Sequence, residues 1–186
     1  MDRATVPWWN GMPHTSGRNE PTTTVPFDPY PPDLATCRRC PRLAAFREEI
    51  ARTKRRAYRD QEYWGAPVPG FGDPDARLLI VGLAPGAHGS NRTGRMFTGD
   101  ASGTFLYASM HRLGLASQPT SVSRSDGLRL TGAWITASAR CVPPGNKPTP
   151  DELATCMHWL KHDFDGLRNV TAILALGRIG HDSVLR

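Results

Sequence analysis

Four cysteines are the residues of this chain whose type and spacing could do chemistry together. Cys37 and Cys40 form a C-x2-C pair, and Cys141 and Cys156 are separated by 14 residues. Four thiolates in a tetrahedral arrangement bind either zinc or an iron–sulfur cluster, and spacing alone does not separate the two. Since structural disulfides do not persist in a reducing cytoplasm, a metal site is the main interpretation and four unrelated cysteines are the alternative.

A glycine-rich stretch, GLAPGAHGSNRTGRMFTGD at residues 82–100, is the second candidate for chemistry. Glycines let the backbone approach a ligand closely and expose N–H groups to it. The stretch also holds the flat apolar ring of Phe97, and its polar side chains include His88, Asn91, Arg92, Arg95 and Asp100. Exposed amides around one flat ring suit a planar heterocycle. Phosphate binding is the alternative, although the GxGxxG and Walker A patterns are both absent.

The overall charge is compatible with a polyanionic partner. Lys and Arg number 23 against 17 Asp and Glu, which gives a formal net charge of +6. Such a surplus favours nucleic acids through the field of the whole protein but does not identify one. A charged run on a predicted helix is either a solvated face or a DNA contact; it contains Arg47, Glu48, Arg52, Lys54, Arg55 and Arg56.

Strands that alternate with helices must position these residues. Short apolar runs predict buried strands at 78–81, 133–140 and 170–177. Helical periodicity predicts helices at 41–57, 101–113 and 148–164, and another from 178 onward. Thr149 and Glu152 are placed to form a capping box at the third helix. The pattern is typical of a three-layer α/β/α fold with a mostly parallel sheet, in which ligands bind beyond the carboxyl ends of the strands.

The chain divides into two unequal parts. Residues 1–33 lack periodicity and predict an irregular arm that packs through Trp8, Trp9 and Phe27. Residues 34–186 predict one domain, and we expect it to be incomplete because the sequence stops inside a fresh helix. Neither a membrane span nor a signal peptide is predicted, so we expect a cytoplasmic protein, associated with the nucleoid if it is bacterial.

The glycine-rich stretch, the segment WITASARCVPPGNKPTP and the four cysteines closely resemble the family-5 (type b) uracil-DNA glycosylases of the iron–sulfur type. The resemblance runs from about Cys37 to the end of the chain. It implies a uracil-DNA glycosylase fold with a four-stranded sheet, and a [4Fe-4S] cluster held by Cys37, Cys40, Cys141 and Cys156. It also implies a monofunctional hydrolase that removes uracil and other deaminated or modified bases from double-stranded DNA during base excision repair. We expect it to act as a monomer.

The resemblance also assigns roles to residues of the glycine-rich stretch. Phe97 would stack on the everted base, and Asn91 would position the attacking water. Leu83 stands where related families carry an acidic residue, and Ala137 where they carry an asparagine that reads uracil; both departures are consistent with relaxed base choice. Base binding is therefore expected from Gly82, Leu83, Ala84, Gly86, Phe97 and Ala137.

One family motif is not found before Arg186. Family members carry a His-Pro-Ser-like loop near the C-terminus, whose histidine stabilises the departing base. Two alternatives to the glycosylase therefore stay open from the sequence. The first is a module that binds damaged DNA without cleaving it, and the second is a zinc-binding structural α/β domain.

Overall fold

The computed structural model describes residues 27, 28 and 30–186, and its centre is a four-stranded sheet. The strands lie in the order β1-β3-β2-β4. Strand β2 pairs in parallel with β3 and β4, whereas β1 pairs antiparallel with β3. The strands are β1 (Phe71–Gly72), β2 (Leu78–Gly82), β3 (Ala133–Ala137) and β4 (Ala172–Ala175). The predicted three-layer fold with a mostly parallel sheet is confirmed, and the two-residue β1 is an addition to the predicted strands.

Six α-helices occur in the described part of the chain. The helix predicted over 41–57 ends earlier than expected, because Lys54 adopts a φ of 52°, which helical backbone does not tolerate. The helices are α1 (Pro32–Ala35), α2 (Pro41–Thr53), α3 (Ser90–Thr93), α4 (Ala101–Arg112), α5 (Pro150–Gly166) and α6 (Arg178–Val184).

Both faces of the sheet are covered, which explains the continuous apolar runs of its central strands. Ile80 and Ile135 belong to the cluster that packs with α4. Leu79, Val81 and Trp134 belong to the cluster that packs with α5 and α6. Because successive side chains of a strand point to opposite faces, a strand buried on both sides must be apolar throughout.

Two helix starts near the carboxyl edge of the sheet are capped by side chains. Thr149 and Glu152 form the predicted capping box at α5, in which the Glu152 backbone N–H donates to the threonine hydroxyl at 3.2 Å. Asp100 caps α4, since its carboxylate accepts from the Gly103 N–H at 2.9 Å. The caps fix where these helices begin and so shape the loops before them.

The predicted arm is described only in part. Trp8 and Trp9 lie outside the described residues. The ring of Phe27 packs edge-on against Trp134, with the ring centroids 5.2 Å apart. The short helix α1 already begins at Pro32. Among the described residues, no helix has the length and apolar character to cross a membrane.

Candidate functional site

The four cysteines line one cavity, which we call the cysteine cavity. Cys37 and Cys40 lie just before α2, Cys141 follows β3 and Cys156 lies within α5. The space between the cavity's atoms is about 330 Å³. The fold therefore gathers thiols from three separated segments at one place. Within the described residues, no three His, Cys, Asp or Glu side chains are close enough together to hold a single metal ion.

Arginine and backbone groups donate hydrogen bonds to the sulfurs of this cavity. Arg47 is 3% exposed, and its guanidinium donates to the Cys141 Sγ at 2.9 Å and to the Cys37 carbonyl at 3.0 Å. The Arg140 backbone N–H lies 3.3 Å from the Cys156 Sγ. Burial raises the pKa of the Cys156 thiol to about 12. Such a thiol becomes a thiolate only when a cation or a cluster compensates its charge.

Two ion pairs brace the elements around the cysteine cavity. The Arg42 guanidinium binds the Glu152 carboxylate through two hydrogen bonds of 2.8 and 2.7 Å, which join α2 to the start of α5. The Arg140 guanidinium binds the Asp163 carboxylate, and both side chains are buried. The Arg140 guanidinium also donates to the Trp159 carbonyl at 3.0 Å. The Arg140–Asp163 pair therefore joins the segment that carries Cys141 to the helix that carries Cys156.

A second and larger opening lies at the carboxyl ends of β2 and β4; we call it the strand-end pocket. It is open to solvent, and the space between its atoms, together with the solvent at its mouth, is about 1500 Å³. The glycine-rich stretch supplies most of its wall. Five residues that the sequence predicts for base binding line it: Gly82, Leu83, Ala84, Gly86 and Phe97.

Phe97 is fixed in this pocket by close backbone and ring contacts. Its φ of 53° is unusual for a bulky residue. A side chain on Gly82 would lie 2.8 Å from the Phe97 ring, so the ring packs directly on that glycine. A side chain on Gly103 would overlap the Phe97 carbonyl. Both glycines are therefore required for the observed ring position.

A buried ion pair supports the backbone on either side of Phe97. Arg95 is bound to the Asp126 carboxylate at 2.9 and 2.7 Å and to the Thr98 hydroxyl at 3.0 Å. Burial would raise the pKa of the Asp126 carboxyl, but hydrogen bonds from Arg95 and from the backbone N–H groups of Val122, Leu128 and Ser123 lower it below its ordinary range. The carboxylate is therefore ionised at neutral pH and holds Arg95 in place.

Two residues predicted for the site are not placed on the pocket wall. Asn91 is fully buried, and its side-chain N–H donates to the Arg47 carbonyl at 3.2 Å, so it links α3 to α2. Ala137 is 2% exposed and pairs with Gly82 across the sheet. Neither residue belongs to the lining of the strand-end pocket.

Asp100 and Asn146 also line the pocket; the sequence marks Asp100 only as a polar group of the glycine-rich stretch and does not single out Asn146. Asp100 is half-buried and is the one acidic residue among the lining residues of the described chain. Asn146 adopts a φ of 57° in the short 3-10 turn Pro144–Asn146 and reaches the pocket from the opposite loop. The position of Asp100 immediately before a predicted helix was the available signal for a cap that also faces the pocket.

The comparison with protein families agrees with this geometry. The model of the uracil DNA glycosylase superfamily matches residues 69–186, which include the strand-end pocket and two of the four cysteines. The chain belongs to that superfamily. Its predicted family resemblance is therefore confirmed.

Individual relatives place the chain near type 5 of the superfamily. It is 57% identical over 152 residues to a type-5 uracil-DNA glycosylase of Thermus thermophilus, which covers 82% of this chain and 68% of the relative. It is 55% identical over 154 residues to a type-5 uracil-DNA glycosylase of Mycobacterium bovis, covering 82% of this chain and 58% of that relative. A type-4 uracil-DNA glycosylase of Thermotoga maritima is 35% identical over 111 residues, or 59% of this chain and 50% of the relative.

Proposed function

We propose that the protein excises uracil and other deaminated or modified bases from double-stranded DNA by hydrolysing the N-glycosidic bond, as a monomer in base excision repair. One observation carries the proposal. An aromatic ring, exposed backbone and a carboxylate line a single open pocket beyond the carboxyl ends of the parallel strands. This arrangement suits a planar base that has been rotated out of the duplex.

Base binding in this proposal depends on Phe97 and on the first turn of the glycine-rich stretch. The Phe97 ring would stack on the everted base, because its backbone and its contact with Gly82 leave it little freedom to move. Leu83 and Ala84 line the same wall, where they contribute main-chain groups and apolar side chains. Recognition through stacking and the main chain tolerates more than one base, which agrees with a broad substrate range.

Water activation in this proposal belongs to Asp100 rather than to Asn91. Asn91 is fully buried, is not among the residues that line the strand-end pocket, and donates its amide N–H to the Arg47 carbonyl. One oxygen of the Asp100 carboxylate accepts the cap hydrogen bond from Gly103. The other carboxylate oxygen is available to orient water toward the sugar carbon as the glycosidic bond loosens.

The cofactor in this proposal is a [4Fe-4S] cluster bound by Cys37, Cys40, Cys141 and Cys156. The four sulfurs around one cavity supply the full donor set of such a cluster. The Arg47 guanidinium donates a hydrogen bond to the Cys141 sulfur, and such hydrogen bonds stabilise a thiolate that binds a metal. When bound, the cluster would fasten the start of α2 to β3 and α5, which is a structural function.

Single-turnover excision of uracil from a labelled duplex tests the proposed activity. Stacking on one aromatic side chain contributes roughly 1–3 kcal/mol, so Phe97→Ala should slow excision about 5- to 150-fold. Asp100→Asn should slow it roughly 100-fold while keeping the helix cap, since asparagine caps as well as aspartate. Leu113→Ala, an apolar truncation at the exposed far end of α4, is the control and should change nothing.

The outcomes separate the proposed glycosylase from the alternatives. A protein that binds uracil-containing duplex but never releases uracil would be a damage-binding module, and the proposed activity would be wrong. Iron and sulfide analysis, with absorbance near ~400 nm, tests the cluster separately. A protein that contains zinc in place of iron, or one in which Cys40→Ser keeps the full iron content, would contradict the cofactor assignment.

A further inference from the structure

Four cations follow the end of α2 in a segment that we call the basic turn, Lys54–Arg59; its three arginines are exposed, whereas Lys54 is half-buried and donates to the Arg59 carbonyl at 3.3 Å. Its cationic residues are Lys54, Arg55, Arg56 and Arg59. In the part of the chain that the structure describes, none of the four forms an ion pair. The neighbouring Glu49 is paired with Arg52 at 2.6 Å, and the nearby Asp60 and Glu62 are exposed.

Local backbone contacts hold the basic turn in a defined shape. The α-helix stops at Lys54, whose N–H donates to the Ile50 carbonyl at 3.0 Å and whose positive φ redirects the chain. The Arg55 N–H then donates to the Tyr63 hydroxyl at 3.3 Å, and the Tyr58 N–H donates to the Arg55 carbonyl at 2.8 Å. The positive charges are therefore carried by a pinned turn rather than by a loose chain.

Arg92 fastens the basic turn to the wall of the strand-end pocket. Its guanidinium stacks over the Tyr58 ring at 4.1 Å and donates to the Gln61 side chain at 2.6 Å. The same guanidinium donates to the His88 carbonyl at 2.7 Å. Arg92 lies in α3, the helix whose first residue, Ser90, lines the pocket. One side chain thus connects the turn to the loop that forms the pocket.

Tyr63 forms a second connection between the same two regions. It is 8% exposed, and its hydroxyl lies 3.0 Å from the His88 Nδ1 while accepting from the Arg55 N–H. Burial, together with Arg55 and Arg92, lowers the pKa of His88, so its imidazole is neutral at neutral pH and shares one hydrogen bond with the phenol. The Trp64 N–H, which donates to the Arg92 carbonyl at 2.9 Å, continues the connection along the backbone.

We propose that the basic turn is a phosphate-binding surface that grips the DNA backbone beside the everted base. The inference rests on the proposed function, because the same duplex must reach both the pocket and the turn. Unpaired guanidinium groups bind phosphate oxygens in bidentate fashion, and a duplex carries one negative charge per ~1.7 Å of its axis. The two fastenings, Arg92 and Tyr63, keep these charges at a fixed position relative to Phe97, so they set the register of the backbone.

The salt dependence of DNA binding tests this surface. We would measure the Kd of a uracil-containing duplex by fluorescence anisotropy between low and moderate salt, using an Arg55→Ala/Arg56→Ala double variant. The plot of log K against log salt has a negative slope, and each lost phosphate contact makes that slope shallower by about 0.9. The double variant should therefore have a slope about 1.8 shallower than that of the wild type. Undamaged duplex should show the same fall, because phosphate contacts carry no base information.

A matched control removes two other exposed cations from the opposite end of the sheet. Lys161→Ala/Arg168→Ala changes the net charge equally, and both residues lie toward the amino ends of the strands, away from the pocket. This variant should keep a slope within about 0.3 of the wild type on the same scale. Equal slopes for the two double variants would overturn the inference, and so would tighter binding of single-stranded RNA than of duplex DNA.

A charge-neutral variant tests the fixed position of the turn. Tyr63→Phe removes the hydroxyl that contacts Arg55 and His88 but leaves every cation in place. We expect a several-fold rise in KM for uracil-containing duplex with kcat little changed, and an unchanged KM would contradict the positioning role. If the wild-type protein excises no uracil, the proposed function is wrong. If the wild type is active but the arginine double variant keeps its salt slope and Tyr63→Phe keeps its KM, only the proposed role of the basic turn is wrong.

Discussion

The cysteine cavity and the strand-end pocket are built by opposite means and, among the described residues, have no lining residue in common. Charged side chains stand in the wall of the cysteine cavity, where Arg47 donates to a sulfur and Arg140 contacts its neighbouring helix. The wall of the strand-end pocket consists mainly of backbone and small or apolar side chains. Its charged support, the Arg95–Asp126 pair, lies behind the wall.

This difference predicts how each region fails. The cysteine cavity should be damaged when a group is removed, because a buried charge that loses its partner has no water to replace it. The strand-end pocket should be damaged when a group is added, because its shape depends on contacts that only glycine allows. The predictions below test this contrast in order of decreasing effect.

Removing Arg140 should produce the largest loss of stability. Arg140→Met leaves the buried Asp163 carboxylate without its cation and should lower the free energy of unfolding by roughly 3–5 kcal/mol, measured by urea titration. Arg178→Met is the control: the Arg178 side chain is 92% exposed in its pair with Asp182 and should contribute less than about 1 kcal/mol. If the two variants lost equal stability, burial would not be the cause.

The pair behind the strand-end pocket should give a smaller and pH-dependent effect. Asp126→Asn removes a carboxylate that Arg95 and three backbone N–H groups bind, and should cost roughly 1.5–3 kcal/mol at pH 7. The lowered folded-state pKa of Asp126 contributes stability that is fully present above the ordinary carboxyl pKa of about 3.9 and is lost as the pH falls further. The difference between wild type and Asp126→Asn should therefore shrink in acid. A difference that stayed constant from pH 7 to pH 3 would contradict this account.

How far the sequence predicts each region follows from how the region is built. Most residues around the strand-end pocket can be selected from the sequence, because most of its wall is one continuous stretch whose glycines and Phe97 stand together in the chain; that they bind a base stays a prediction. The cysteine cavity can be proposed only as a set of residues, since its closure depends on pairs such as Arg42 with Glu152 that are far apart in sequence. The apolar runs of β2 and β3 predict the layers of the fold because both faces of the sheet are covered.

The positions that the sequence does not predict depend on tertiary contacts. Asn91 looks like a site residue from its place in the glycine-rich stretch, but α2 lies against α3 and takes its side chain for the Arg47 carbonyl. Helix α2 ends early at Lys54, whose positive φ redirects the chain so that the Arg55 N–H meets the Tyr63 hydroxyl, a tertiary contact that no helical periodicity records. Strand β1 has only two residues, too few for a sequence pattern to reveal a strand. Its pairing with β3 is a tertiary contact.

Adding one methyl group at Gly103 should disturb the strand-end pocket. Alanine usually stabilises a helix by about 1 kcal/mol relative to glycine, but here the new Cβ would overlap the Phe97 carbonyl. Gly103→Ala should therefore destabilise the protein by roughly 1–3 kcal/mol and displace the Phe97 ring. Unfolding by urea and the binding of a uracil-containing duplex measure the two consequences.

A control on the same helix separates the close contact from a general effect of alanine. Ser109→Ala lies toward the other end of α4 and should change stability by less than about 0.5 kcal/mol. The contrast between the two regions would be wrong if Gly103→Ala were as stable as the wild type and bound DNA equally well.

The smallest loss of stability is expected at the cap of α5, the helix that lines the cysteine cavity but not the strand-end pocket. Thr149→Ala deletes the hydroxyl that accepts the Glu152 N–H and should lower the free energy of unfolding by about 1 kcal/mol, whereas Thr149→Ser should retain most of it. Glu152 keeps its bond with Arg42, so the helix should shift little. Excision by the two Thr149 variants should match the wild type in single-turnover assays, because α5 contributes no residue to the wall around Phe97. If Thr149→Ala slowed excision strongly, the two regions would be coupled through α5, and the different ways in which they are built would not make them independent.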